Sequence, residues 1–270
     1  MTRLPGIVPA WPAPVGVGAF SSTRLGGVSA GRFGAADGAP RGLNLGDHVG
    51  DDPEAVRTNR ARLAGQVPGA VVWLRQVHGT AVHDADAQAV DVLPPSAGIA
   101  PDPLPLPVAD AAITARTGIV LAIMTADCLP ILLADREGRM VGAAHAGWRG
   151  LAAGVAEATV DAMRARLGAD APLLAWLGPA IGPRSFEVGE EVRAAFCDAD
   201  PRAGPAFAQA AEPGKWLADL YRLARLRLAS RGVEAVHGGD RCTMLEPQHF
   251  YSHRRDRSSG RMASLVWLTR

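Results

Sequence analysis

The chain has 270 residues, 48% hydrophobic and 20% charged, which is enough for one large core or two small ones. Its 28 Lys and Arg against 27 Asp and Glu leave a net charge of +1, with no basic block and no aromatic-basic interleaving, so the composition argues against a nucleic-acid partner. Three widely spaced cysteines, Cys128, Cys197 and Cys242, make no disulfide framework, and no apolar stretch is long enough to span a membrane.

The proline-broken N-terminus has no continuous apolar run of the kind a signal peptide carries, so a soluble cytoplasmic protein is expected. All basic residues but Lys215 are Arg, which reads as coding bias. Val15 to Ser21 reads as a strand and runs into Ser22-Thr23-Arg24-Leu25-Gly26-Gly27. That loop suits a phosphate or sugar, or is an ordinary hairpin turn. After Asn44 and His48, the run Asp51-Asp52-Pro53-Glu54 has the acid cap and early proline of a helix start, and the helix continues to Ala64. Ala70 to Leu74 is an apolar strand that delivers Arg75-Gln76-Val77-His78-Gly79, and His83 follows in a partly exposed strand. Val92 to Val108 carries Pro94, Pro95, Pro101, Pro103, Pro105 and Pro107, which rules out helix or central strand and predicts an extended surface loop.

The centre of the chain is Thr125 to Gly150. Ile119–Met124, Pro130–Ala134 and Met140–Ala144 are three short apolar runs, with a polar Asp-Arg-Glu-Gly turn between the last two. Cys128 sits at the mouth of one predicted strand and His145 at the end of the next. A cysteine beside a histidine suits a thiolate nucleophile or a zinc site; a small buried cysteine and a satisfied core histidine are the plain alternative. The corner Ala146-Gly147-Trp148-Arg149-Gly150 opens a helix predicted to run from Leu151 to Leu167. It can aim backbone N–H groups and Arg149 at an anion, or simply make a tight turn. Leu173 to Leu177 is a further strand. Helices are predicted from Phe186, ending at a structural Cys197, and over Trp216 to Ser230. Val233–Val236 and Gly260–Leu268 read as closing strands. No internal repeat and no linker divides the chain, so residues 1–270 are read as a single domain.

Taken together, these segments resemble one family. They are Ser-Thr-Arg-Leu-Gly-Gly-Val-Ser, Asn-Leu-Gly-Asp-His-Val-Gly, Arg-Gln-Val-His-Gly, Thr-Ala-Asp-Cys-Leu-Pro-Ile, His-Ala-Gly-Trp-Arg-Gly, Leu-Gly-Pro-Ala-Ile-Gly-Pro, Phe-Glu-Val-Gly and Phe-Tyr-Ser-His-Arg-Arg-Asp with Gly-Arg-Met-Ala. The pattern is similar to the YfiH, or laccase-domain, family, whose members carry the names purine nucleoside phosphorylase, polyphenol oxidase and peptidoglycan editing factor. It covers nearly the whole chain in order, and only the proline-rich loop departs from it.

The resemblance implies a mixed α/β (α+β) single domain, with mixed sheets packed by helices, similar to the cytotoxic-necrotising-factor-like cysteine hydrolases. It implies a zinc held by His78, Cys128 and His145, with an open position for water in the manner of a catalytic zinc. The expected reactions are phosphorolysis of adenosine, guanosine (or inosine) and methylthioadenosine, and deamination of adenosine. The expected partners are nucleoside and phosphate, and the protein is expected to be a monomer. Arg24, Asn44, Arg75 and Arg149 are the candidates for substrate and phosphate, with His48 and His253 behind them. Asp127 is a candidate acid/base or a strand-end cap. The nucleobase-deaminase signature is absent, so a deamination would use another layout. Editing of muropeptide precursors carrying L-Ser is the alternative substrate class, with Cys128 as nucleophile in its thiolate form. A zinc-stabilised binding protein is the non-enzymatic alternative. Seven histidines with no His-x-His pair do not supply the ligands of a blue multicopper oxidase, although adventitious copper at the His2Cys set could give weak oxidation.

Overall fold

The computed structural model describes residues 3–87 and 105–269, so most of the proline-rich loop lies outside the described residues. The fold is mixed α/β. A five-stranded sheet runs, edge to edge, through Gly6–Ile7, Val17–Ser22, Met262–Leu268, Ile119–Thr125 and Ala70–Val72. A six-stranded sheet runs through Val236–Gly238, Leu173–Leu177, Leu129–Asp135, Val141–Ala146, Ala111–Thr114 and Val82–Asp84. In each, the interior pairings are antiparallel and an outermost pairing is parallel: Ala70 beside Ile119 in the first, Ala175 beside Val236 and Val82 beside Ala111 in the second. A small antiparallel sheet joins Glu187–Gly189, Lys215–Ala218 and Phe207–Gln209.

The two large sheets lie face to face, and strand alternation makes the layers. Along Ile119–Thr125, Ile119, Leu121 and Ile123 enter the core between the sheets. Val120 and Ala122 turn outward, to Leu43 and Leu45 of the preceding loop and to Leu63 of the helix Pro53–Ala64. Along Leu129–Asp135, Leu132 and Ala134 face the first sheet. Leu129, Ile131 and Leu133 face the helices Trp148–Ala153, Val155–Leu167 and Leu220–Ala229. A period of two therefore places one strand in two cores, and both central strands are buried along their whole length.

Local chemistry explains where the elements begin. Asp52 caps the helix Pro53–Ala64 by accepting the Glu54 N–H, with Pro53 at the first position, as its sequence predicts. The helix expected at Leu151 starts earlier, at Trp148, and is broken by Gly154 at φ 102°, a left-handed turn that glycine makes without strain. The helix expected from Trp216 begins instead as the strand Lys215–Ala218, because Asp219 accepts the Arg222 N–H and caps a helix that starts only at Leu220. The segment expected to start a helix at Phe186 likewise first forms the strand Glu187–Gly189, which pairs with Lys215–Ala218. The closing strands are Val236–Gly238 and Met262–Leu268. Among the described residues no helix is long and apolar enough to cross a membrane, and the three cysteines are unpaired.

Leu132 is fully buried between the sheets, opposite Ala143 on one side and Trp176 on the other. Leu132→Ala is expected to cost about 2–5 kcal/mol, the range for truncating a fully buried leucine. The measurement is the shift in urea midpoint at unchanged slope.

Candidate metal centre

The chain from Thr125 to Leu129 crosses from one large sheet to the other, and Cys128 stands at that corner. In the six-stranded sheet Leu129 pairs with Ala146 and Pro130 with His145, so the cysteine and the histidine meet at adjacent strand ends. Val141 and Ala143 face the inter-sheet core, and the strand period carries His145 to the same face. His78 arrives from the other side, six residues beyond the strand Ala70–Val72. Its Nε2 lies 3.7 Å from Cys128 Sγ, and its ring meets the His145 ring edge-on, with centroids 4.7 Å apart. The three donor atoms all lie within 4.8 Å of one another.

Two features hold this cluster together: Asp110, which the sequence reading passed over, and Gly147, which it read as part of an anion site or a tight turn. The first is Asp110, a fully buried carboxylate. It accepts N–H groups from Val77, His78 (2.9 Å) and Gly79 (2.7 Å), and Nδ1 of His145 lies 2.9 Å away. A carboxylate can only accept, so Nδ1 of His145 carries the proton and Nε2 is left as the ligating or base nitrogen. Ala111 pairs with Ala144, so the register sets Asp110 beside His145. The second is Gly147. A Cβ there would stand 2.8 Å from His78 Cδ2 and 2.9 Å from Cys128 Sγ, so only glycine leaves room for the two donors. That close approach is one task of the glycine corner.

The electrostatics follow from this packing. Burial alone would raise the Cys128 thiol, but the His145 charge and hydrogen bond, with His78 behind them, pull it down to about 6. Burial alone would lower His145, but the Cys128 thiolate and the Asp110 carboxylate raise it to about 9. Burial likewise opposes ionisation of Asp110, yet the His145 bond and the backbone N–H groups hold its carboxyl below the usual range. Without metal the packing thus favours thiolate on Cys128 and a proton on His145, each charge supporting the other, with the Asp110 carboxylate behind them.

The donor set fits a tetrahedral metal. At bond lengths of about 2.0–2.3 Å, neighbouring ligand atoms stand about 3.3–3.8 Å apart, and the observed sulfur–nitrogen separation lies in that range. One imidazole, that of His145, is already oriented by a carboxylate, the usual outer partner of a ligating histidine. Two imidazoles and a thiolate suit zinc or copper rather than magnesium or calcium.

The cluster opens into a cleft of about 850 Å³. Arg75, Arg149, His48 and His253 line it, as does Arg261, which the sequence reading left inside a motif without a role. Leu74, Met124 and Ala126 give it an apolar floor. Asp47 is a carboxylate on the wall, and it is paired with Arg60 at 3.1 Å and His48 at 3.3 Å. Gln76 also lines the cleft, but its amide is taken by both backbone groups of Met124.

Three expected site residues do structural work instead. Arg24 is buried, and its guanidinium donates to the carbonyls of Gly34, Ala35 and Pro247 and lies over Tyr251. Four of its five N–H donors are bonded to these carbonyls, and it does not line the cleft described above. Asn44 is fully buried; its side chain accepts the Gly46 and Arg261 N–H groups and donates to Asp51. Asp127, at φ 89°, accepts from Thr243 Oγ1, Ser252 Oγ and the Arg254 N–H, which fixes the turn carrying His253. Its carboxylate is occupied by these bonds and does not line the cleft, so it is a tie rather than an acid or base.

A mixed α/β fold of two facing sheets, with a His2Cys cluster at the crossing between them, defines the class of protein. The chain belongs to the family described as multi-copper polyphenol oxidoreductase laccase, whose model matches residues 18–269. It is 52% identical over 266 residues to the Escherichia coli protein named purine nucleoside phosphorylase YfiH, covering 97% of this chain and 98% of that one. A Pseudomonas aeruginosa protein named purine nucleoside phosphorylase PA4543 is 52% identical over 263 residues, with the same coverage. Among solved structures, Neisseria meningitidis NMB0706 superposes with a TM-score of 0.85 at 46% identity, covering 98% of this chain and 99% of that one. YlmD from Geobacillus stearothermophilus has a TM-score of 0.83 at 32% identity, covering 100% and 98%.

Asp110→Asn is expected to weaken zinc binding by about 10–100-fold, the usual effect of losing an outer partner of a ligating histidine. An amide N–H facing Nδ1 forces the proton onto Nε2, the ligating nitrogen. Competition with a chelating dye measures the affinity, and an unchanged value would remove Asp110 from this role. The Cys128 thiol gives a second test. Thiolate is the reactive form, and a lowered pKa keeps it populated as pH falls. Alkylation of Cys128 in metal-free protein, followed by peptide mapping, is therefore expected to hold down to pH about 6. In His145→Ala the midpoint moves up toward the ordinary thiol value of about 8.5.

Proposed function

We propose that the protein is a zinc-dependent purine nucleoside phosphorylase that converts adenosine, guanosine or inosine, and methylthioadenosine to free base and ribose 1-phosphate, and that also deaminates adenosine. It would act as a cytoplasmic monomer. The observation that carries the reading is the His78–Cys128–His145 cluster at the base of a cationic cleft, in a chain about half identical to proteins bearing the phosphorylase name.

His78 and His145, through Nε2, and Cys128, through Sγ, would hold the metal, with Asp110 fixing the tautomer of His145. Bound there, zinc supplies a Lewis acid beside the reacting groups. The residues around it divide the remaining work. Leu74, Met124 and Ala126 offer apolar surface for a purine face. Arg75, Arg149 and Arg261 make the cleft positive, which favours a phosphate dianion and the charge that develops as the glycosidic bond breaks. In phosphorolysis a phosphate oxygen bonds to the anomeric carbon, the carbon–nitrogen bond breaks, and the base leaves with its electron pair and takes a proton. In deamination water replaces the 6-amino group and ammonia leaves. Blue multicopper oxidation does not fit the donors, since one His2Cys cluster is what the described residues bring together.

A second reading rests on the alignment of Cys128, His145 and Asp110. Thiol, imidazole and carboxylate in that order form the arrangement that activates a cysteine nucleophile. It would serve amide or ester hydrolysis, including editing of L-Ser muropeptide precursors, in protein without metal on the sulfur.

Turnover of adenosine with and without phosphate separates the readings. The zinc-loaded wild type is expected to form ribose 1-phosphate only when phosphate is present. Cys128→Ala is expected to lose both zinc and turnover, by at least ~100-fold for removal of a group essential to the chemistry. Zinc binding without purine consumption would overturn the substrate, and amide hydrolysis that survives chelation would favour the second reading.

A further inference from the structure

We infer that Arg261 is the anchor of a phosphate subsite in the cleft, binding the dianion through its planar fork beside the His2Cys cluster. This deepens the phosphorolysis reading and rests on it for the identity of the ligand as co-substrate.

Three cleft arginines differ in how they are held. Arg75 and Arg149 are exposed; Arg75 reaches the wall from a loop, and Arg149 lies over the Trp148 ring. Arg261 is half-buried, and its backbone is locked on both sides. Its N–H donates to Asn44 Oδ1 at 2.8 Å, and its carbonyl accepts the Leu45 N–H at 3.1 Å. Its stem passes over Gly46, where a Cβ would stand 2.8 Å from Arg261 Cγ. The buried amide of Asn44 and the bare backbone of Gly46 thus set one side chain in place. Only Nη1 is bonded, to the carbonyls of Ser259 and Gly260. Nε and Nη2 have no acceptor among the described residues, and no carboxylate there forms an ion pair with this guanidinium.

Its surroundings explain the demand for an anion. The nearby negative groups that favour its charge are Cys128 and Asp127. A metal would take up the first, and the second is satisfied by Thr243, Ser252 and Arg254. A half-desolvated guanidinium that lines the cleft, with Nε and Nη2 unbonded, is best completed by a ligand that accepts two hydrogen bonds, which phosphate does. Pre-organisation matters here. Exposed Arg75 and Arg149 must give up side-chain freedom to bind, whereas Arg261 has already done so. The same chemistry is offered by inorganic phosphate and by the phosphoryl group of a nucleotide.

The test is calorimetric titration of the zinc-loaded full chain with inorganic phosphate and, separately, with adenosine 5′-monophosphate. In wild type inorganic phosphate is expected to bind. Arg261→Gln is expected to weaken it by about 10–100-fold, the size of losing hydrogen bonds to a charged group, with zinc content unchanged. Arg75→Gln and Arg149→Gln are expected to weaken it less. If Arg261→Gln does not fold, Arg261→Lys carries the test. It keeps the charge without the fork, so weaker binding supports the assignment and unchanged binding overturns it. No phosphate binding by wild type, equal loss in all three Gln variants, or nucleotide binding that alone depends on Arg261 would also overturn it. Steady-state kinetics then separates the two levels. Arg261-dependent phosphate binding without phosphate-dependent turnover removes the phosphorylase reading and leaves the subsite. Phosphate-dependent turnover with binding indifferent to Arg261 does the reverse.

Discussion

The carboxylate of Asp110 accepts the N–H groups of Val77, His78 and Gly79 and faces Nδ1 of His145. Buried in a sheet interior without these donors, it would have to take up a proton or carry a large desolvation cost. With them it stays ionised, and its charge organises everything around it. His78 is a non-glycine residue at φ 62°. That conformation aims successive N–H groups at one point, the geometry of an anion-binding nest, and here the anion is a side chain of the protein itself. The backbone strain at His78 is thus offset by three hydrogen bonds. The same carboxylate, through Oδ1, fixes the ring of His145 at Nδ1, and the His145 backbone N–H donates to the Asp110 backbone carbonyl at 2.6 Å. Two histidines distant in sequence are therefore placed by a single group, and neither can shift without unpairing it.

The cysteine side of the centre is held by a different device. The chain leaves one sheet at Thr125 and enters the other at Leu129, so three residues must turn between two packed layers. Asp127 makes that turn with a left-handed backbone, and its carboxylate and carbonyl bond to Thr243, Ser252, Arg254 and Ile181. Three segments of the C-terminal half are thereby anchored to the corner that presents Cys128. The turn bearing His253 is one of them, so the far wall of the cleft is registered to the sulfur at its base.

These two devices explain what could be read from the residues alone. The apolar runs at Ile119, Leu129 and Leu173 carry their own signal, because strands buried on both faces are continuous hydrophobic stretches. The convergence of Cys128 with His145 follows from neighbouring strand ends, so the centre was legible before the fold. Asp110 was not. It precedes an apolar strand like any cap, and only the pairing of Ala111 with Ala144 reveals that it faces His145. The arginines misled for a related reason. Arg24 sits in a loop of hydroxyls and glycines that reads as a phosphate cradle, but the fold closes over it and gives its donors to carbonyls. Arg261 sits at the foot of an ordinary strand, and its orientation depends on Asn44, which lies 217 residues earlier in the chain. The helix start misplaced at Trp216 is a local error of the same kind. The alternating pattern of a short strand and the first turn of a helix overlap there, and the cap at Asp219 decides between them.

The metal and the nucleophile compete for the same lone pair. Sulfur bound to a metal would not be free to attack an acyl carbon, so the two readings proposed for this centre would exclude one another. The local field favours occupancy in one respect and opposes it in another. Cys128 is drawn down to about 6 by its imidazole neighbours, which favours the thiolate form a metal would need. The same thiolate and Asp110 favour the protonated form of His145, whereas ligation would need an unprotonated Nε2. Asp110 would keep the ring oriented in either state, because its bond is to Nδ1, which carries the proton in both.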